Sequence, residues 1–212
     1  MGRSYKSPLR EEQARRTRAT VLQAAREVFA ERGYAATTVP EIARRAGVAV
    51  DTVYAAVGKK PVLFRLLIET AISGTDDVVE AERRDYVVRI RQAGSAREKL
   101  AIYASAIRTI LERFAPLFVV LRDAAGQDAE LDALWREISE RRAANMLLFA
   151  QDVAATGELR AGVTVEELAD VVWSTAAPDF YVLLVTERGW SAERFERWLA
   201  DSWTRLFVGE VW

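Results

Sequence analysis

The chain has 212 residues, half of them hydrophobic, with no cysteine, no histidine and a formal net charge of −1. Absence of Cys removes any disulfide framework or thiolate metal site, and absence of His removes the commonest metal ligand and a frequent general base. The usual zinc sites and serine–histidine triads are therefore excluded. Charge is uneven: residues 1–65 carry 13 Lys/Arg against 6 Asp/Glu, and the remainder carries 17 against 25. That asymmetry points to nucleic acid as a partner of the N-terminal part. No apolar run follows the basic start, so no signal peptide is expected. No stretch reaches the ~20 apolar residues of a membrane span. A cytoplasmic protein with no cofactor and no membrane partner is expected.

Taken in order, residues 1–13 form a basic arm with Arg3, Lys6 and Arg10 among turn formers. Residues 12–32 predict the first helix, with Val21, Leu22, Ala25, Val28 and Phe29 at helical spacing and Gly33 as its stop. Thr38-x-x-Glu41 is a capping box opening a second helix, with Pro40 tolerated in its first turn. Val39, Ile42, Ala43 and Ala46 form the inner face, and Gly47 ends the helix. A third helix spans about residues 50–57, with Val53 and Val57 inward. Two short helices joined by a tight Gly-containing turn are a helix-turn-helix. The second of them is the one placed to enter a DNA major groove.

Pro61 opens a fourth helix reaching about residue 72, with Leu63, Leu66 and Leu67 on its apolar face. Lys60 stands at its start. A cation there opposes the helix dipole and makes sense against a docked anion; the plainer reading is a tolerated surface lysine. Residues 74–77 read as a loop, followed by a charged helix at 78–92. Ser95-x-x-Glu98 opens a helix to about 114. Pro116 starts another, ending near Gly126. Asp128 caps a long helix to about 156. Thr164-x-x-Glu167 opens one at 165–188, with a break expected at 176–179 because Pro178 sits inside it. Ser191 caps the last helix, where Phe195, Trp198, Leu199, Ser202, Trp203, Leu206 and Phe207 form one wide aromatic stripe.

Between Ala14 and Leu67 the chain resembles the N-terminal domain of the tetracycline-repressor (TetR) family. The resemblance rests on an ordered series: Val21-Leu22-Gln23-Ala24-Ala25 running to Phe29, then Gly33-Tyr34, Thr37-Thr38-Val39, Ile42-Ala43, Ala46-Gly47-Val48, Thr52-Val53-Tyr54 and Lys60. It implies an all-α fold with an N-terminal three-helix DNA-binding domain over 12–72, its motif at about 38–57. A helical ligand-binding and dimerisation domain over 73–212 would follow.

By position the resemblance assigns DNA contacts to Thr37, Thr38, Val50, Asp51, Thr52, Tyr54 and Lys60. Two features depart from the family pattern. Ala49-Val50-Asp51 stands where a hydroxyl cap and a lysine are usual, and Val57 replaces an aromatic. Asp51 then either accepts from a cytosine amino group or serves only the helix dipole.

The resemblance also makes the last helices a dimer interface, so Phe195, Trp198, Leu199, Trp203, Leu206 and Phe207 are assigned to it ahead of internal core. A ligand cavity is expected among Tyr103, Trp135, Met146, Phe149, Trp173, Phe180 and Tyr181, although plain core is the simpler reading of each taken singly. The function implied is a homodimeric repressor on a palindromic double-stranded operator, responsive to a small-molecule effector. The alternative is a helical ligand- or protein-binding module without specific DNA binding. An enzyme is not expected.

Overall fold

The structure, a computed structural model, describes residues 8–74 and 78–209, with side chains from Glu11 onward. Arg3 and Lys6 of the basic arm, the Arg10 side chain and the 75–77 part of the expected loop lie outside the described residues.

The described residues are helical. In order they form α1 (Pro8–Ala36), α2 (Val39–Ala46), α3 (Val50–Val57), α4 (Lys60–Ser73), a 3-10 turn at Ala81–Arg83, α5 (Asp85–Gln92), α6 (Ala96–Ala125) and α7 (Ala129–Ala154). Then come α8 (Val165–Thr175), α9 (Pro178–Tyr181), a π-turn at Val182–Glu187 and α10 (Ala192–Phe207). The only β feature described is an isolated antiparallel bridge between Leu159 and Val208.

Helix α1 is interrupted at Gly33, where φ is 71° and ψ 178°. A Cβ there would meet open space. The left-handed φ, not crowding, is what calls for glycine. The break turns Tyr34 back so that its ring lies 5.8 Å from Phe29 and 5.1 Å from Phe64 of α4. Phe29 and Phe64 themselves stand 4.8 Å apart. These three rings, with fully buried Val21, Ile42 and Val53, form the small N-terminal core.

The long helices α6 and α7 carry the larger core. Two expectations fail in this region. Pro116 does not start a new helix; it lies inside continuous α6. Its missing N–H costs one bond on the exposed side. Phe114, Ala115, Leu117 and Phe118 around it are buried and hold the helix together. The expected charged helix at 78–92 is instead a 3-10 turn and the shorter α5, separated by Arg84 in extended conformation (φ −69°, ψ 138°). Arg84 Nε donates to the Val79 carbonyl at 3.1 Å and the Val79 N–H to Ser73 Oγ at 2.9 Å, so these bonds replace helical ones. The break expected near Pro178 is present, with the flanking helices bent by 46°.

Helix α10 departs from its assigned role. Phe195, Leu199, Trp203 and Phe207 are buried inside this chain and are core, not a face left for a partner. Trp203 stacks on Tyr103 at 5.8 Å and donates from Nε1 to Thr175 Oγ1 at 2.9 Å. The stripe closes the chain's own C-terminal core against α6. Only Trp198, half-buried, and Leu206, 44 % exposed, remain on the outside. The helix end is pinned by Arg160 N–H donating to the Phe207 carbonyl (2.8 Å) and Gly209 N–H to the Glu158 carbonyl (3.0 Å).

Trp203→Ala is expected to cost about 3–5 kcal/mol in urea unfolding, as truncating a buried aromatic does. Leu206→Ala should stay within about 0.5 kcal/mol for the folded chain. A loss below about 1 kcal/mol for Trp203→Ala would contradict its core placement.

Candidate nucleic-acid interface and effector cavity

The helix-turn-helix is built from short-range bonds. Thr38, extended at φ −121° and ψ 150°, caps α2 by accepting from the Glu41 N–H at 3.4 Å. The Glu41 carboxylate turns away to Arg32 at 2.9 Å rather than closing the other half of the capping box. At the far end Gly47 adopts the left-handed conformation (φ 69°), and Val48 N–H returns to the Ala43 carbonyl at 3.1 Å. Helix α3 follows after Ala49. Val53 and Val57 are buried beneath it, while Asp51, Tyr54 and Ala55 face solvent. Tyr54 is 46 % exposed and has no ring partner among the described residues.

The assigned contacts separate on this frame. Thr38, Asp51 and Tyr54 are exposed; Val50 and Thr52 are half-buried. Asp51 sits in the first turn of α3, where the Ala49 cap supplies no side-chain bond. Thr37 is a correction. It is 1 % exposed, and its hydroxyl donates to the Gly33 carbonyl at 2.7 Å. That hydroxyl is committed to holding the turn after α1 and is not offered to phosphate.

Lys60 begins α4 half-buried, its Nζ 4.3 Å from the centre of the Tyr34 ring and 3.4 Å from the Ala35 carbonyl. Burial holds its ammonium below the ordinary lysine range. Two exposed cations were missed from sequence. Arg44, with 73 % of its side chain exposed, has only a 3.7 Å contact to Glu41, and Lys59 is the uncapped residue before α4. The Arg44-Arg45 pair in the last turn of α2 was the available signal. Arg45 is tied to Glu31 at 2.6 Å and Glu27 at 3.3 Å.

Three adjoining cavities lie among the C-terminal helices. The first, about 90 Å³, is lined by Trp135 and Trp173 with Phe118, Ser139 and Arg142. A second, about 70 Å³, shares Phe114, Ile138 and Arg142 with it and includes Tyr103 and Met146. The third, about 260 Å³, shares Tyr86, Tyr103, Asn145 and Met146 with the second and adds Phe149. Five of the seven expected lining residues are therefore placed on these cavities.

Phe180 and Tyr181 are corrections: Phe180 stacks on Trp198 (6.2 Å) and Tyr181 packs edge-on to Phe195 (5.3 Å), away from all three. Burial raises the Tyr103 phenol above its usual range. Arg142 was missed, although a charge at the helical spacing of Ile138, Met146 and Phe149 is a readable anomaly. Next to it, Arg141 reaches Glu69 of α4 at 2.9 and 3.1 Å. Glu137, one turn earlier, takes Arg65 of α4 at 2.8 Å.

Residues 21–67 match the family model described as bacterial regulatory proteins, tetR family. The N-terminal domain belongs to the tetR family. Outside that domain the likeness is of fold. NalD from Pseudomonas aeruginosa, the secondary repressor of the MexAB-OprM multidrug efflux pump, is 22 % identical with a TM-score of 0.64, over 94 % of this chain and 100 % of that one. FadR from Bacillus subtilis, solved in complex with stearoyl-CoA, is 21 % identical with a TM-score of 0.70, over 89 % and 98 %. Among curated proteins no sequence matches. No single helix among the described residues is long and apolar enough to cross a membrane.

The exposed face of the tetR-family domain generates a paired expectation. Tyr54→Ala should lower specific DNA affinity with an unchanged urea midpoint. Asp51→Ala should raise affinity for all duplexes by removing a repulsion with phosphate, at a stability cost of a few tenths to about 1 kcal/mol. Selection on randomised duplexes with both variants checks this. Relaxed preference at one base pair without a general gain would instead make Asp51 a base reader.

Proposed function

We propose that this chain is a cytoplasmic, ligand-responsive transcription regulator, acting as a repressor that binds a palindromic operator as a homodimer. Residues 12–72 would bind DNA and residues 73–212 would bind effector and dimerise. The observation that carries this reading is α3: Val53 and Val57 on its inner side are buried, and Asp51, Tyr54 and Ala55 on its outer side are exposed. A rigidly seated helix with an open outer face is what a major groove of about 12 Å accepts. Thr38, Val50, Thr52 and Tyr54 would make the contacts around α3, with Arg44, Lys59 and Lys60 adding cationic contacts to phosphate.

The effector would occupy the cavities around Tyr103 and Met146. That FadR, similar in fold, is solved in complex with stearoyl-CoA supports an effector for this fold. Ion pairs from α7 to α4 would then let a ligand favour one disposition of the DNA-binding domain over another, by differential affinity for the two states. The dimer surface would use the outer side of the last helices, where Leu183 is 50 % and Leu206 44 % exposed beside half-buried Trp198.

A second reading, a helical binding module without specific DNA affinity, is favoured by one observation: α3 lacks a side-chain cap and carries Asp51 outward. Footprinting on the DNA flanking the coding region separates the two. The regulator reading predicts protection of an inverted repeat, with half-site centres about 10 base pairs apart or a multiple of that. It also predicts affinity that falls linearly in log–log terms with salt. No protection and no salt dependence would leave the binding-module reading.

A further inference from the structure

Resting on the effector-cavity reading above, we propose that the ligand is an amphipathic carboxylate whose head group docks on Arg142 and the Trp173 indole N–H.

Arg142 borders both the first and the second cavity. Its Nη2 donates to the Trp173 carbonyl at 2.9 Å, and its guanidinium lies 5.5 Å from the centre of the Trp173 ring. No carboxylate among the described residues comes within ion-pair distance of it. Arg142 is half-buried, and the fully buried cation of this domain shows the usual solution. Lys99 is 4 % exposed and donates to Asp152 at 2.9 Å and to the Ile90 carbonyl at 2.6 Å. Removing a cation from water without a counter-charge is costly. The retained, unpaired guanidinium at a cavity wall is therefore a place for an anion.

The surroundings agree in sign and in shape. No acidic side chain lines the second cavity, where Arg84, Arg141 and Arg142 all stand. Asp179, the acid on the first, is engaged by Arg122 at 3.2 Å. Trp173 Nε1 is buried with no hydrogen-bond partner among the described residues. A buried donor left unmade is itself unfavourable, and a carboxylate oxygen would satisfy it. From that point Tyr103, Met146, Phe149 and Ile90 continue along the second and third cavities as an apolar path. The third cavity carries both signs, Glu82 and Asp152 with Arg91, so the head-inward orientation rests on Arg142 and the Trp173 N–H. One guanidinium and one indole N–H are a donor set for a single carboxylate. Arg84 and Arg141, which a phosphate dianion would want, are already bonded to Val79 and Glu69.

Decanoate, decanol and decyl phosphate are the probes, titrated calorimetrically into the full-length chain and its Arg142→Gln and Trp173→Phe variants. The full-length protein should prefer decanoate over decanol by about tenfold or more, the worth of a charge-assisted hydrogen bond. Arg142→Gln should remove that preference while decanol affinity is kept, and Trp173→Phe should reduce it. If Arg142→Gln does not fold, Trp173→Phe alone decides. The assignment is overturned by equal affinity for decanoate and decanol, by no saturable binding of decanoate, by a preference that survives the substitution, or by decyl phosphate binding more tightly than decanoate. Failure of bound decanoate to release DNA would count against ligand-responsive regulation and leave the head-group assignment standing.

Discussion

Helix α4 is packed into two cores at once, and the rest of the structure depends on that double placement. Phe64 completes the ring cluster with Phe29 and Tyr34 in the N-terminal domain. The same helix lies against α6, and Arg65 and Glu69 reach α7. The relative magnitudes decide which contacts hold and which direct. Burying a Phe or Leu side chain stabilises by about 1.5–3 kcal/mol, so Leu63, Phe64, Leu67 and Ile68 hold α4 in place. Pairs such as Arg65–Glu137, both nearly half exposed, contribute about 0–1 kcal/mol. The pairs set the register between α4 and α7; they do not supply the adhesion. Arg141, next to Arg142 in sequence, bonds Glu69 on the same helix that seats the N-terminal domain.

Helix α3 has little stability of its own. Eight residues make a helix far below the ~12–15 that approach marginal stability alone. Without a side-chain cap, α3 is held by Val53 and Val57 beneath it and by the turn at Gly47. Its outer residues are thereby left uncommitted. The same division explains Thr37 and Thr38. One hydroxyl stabilises the turn that aims the motif, and the neighbouring residue caps α2 at the exposed surface.

What could be read from sequence was local chemistry. The Thr38, Ser95, Thr164 and Ser191 caps, the stops at Gly33 and Gly47, and the break before Pro178 are all decided within a few residues, and each is present. Pro116 was misread because tertiary packing on both sides of it outweighs one lost hydrogen bond. The α10 stripe was misread because periodicity reports that a face is buried and not what buries it. Trp203 is covered by Tyr103 of its own chain. Thr37 matches a DNA-facing position of the family motif, but the Gly33 carbonyl 2.7 Å away, visible only in three dimensions, claims its hydroxyl. Arg142 could have been noticed as a charge in an apolar stripe, yet its missing counter-ion is a property of the fold.

The central claim is that the N-terminal helices and the C-terminal helices belong to one cooperative unit joined through α4. All six tryptophans lie at or beyond Trp135, so tryptophan emission reports only the C-terminal half, whereas circular dichroism reports every helix. The decisive measurement is thermal unfolding followed by both signals, with and without a saturating specific duplex. A ligand that binds only the folded state stabilises every part that unfolds with it. The account predicts coincident transitions that the duplex moves upward together. A tryptophan-reported transition that stays in place while the dichroism transition shifts or splits would contradict it.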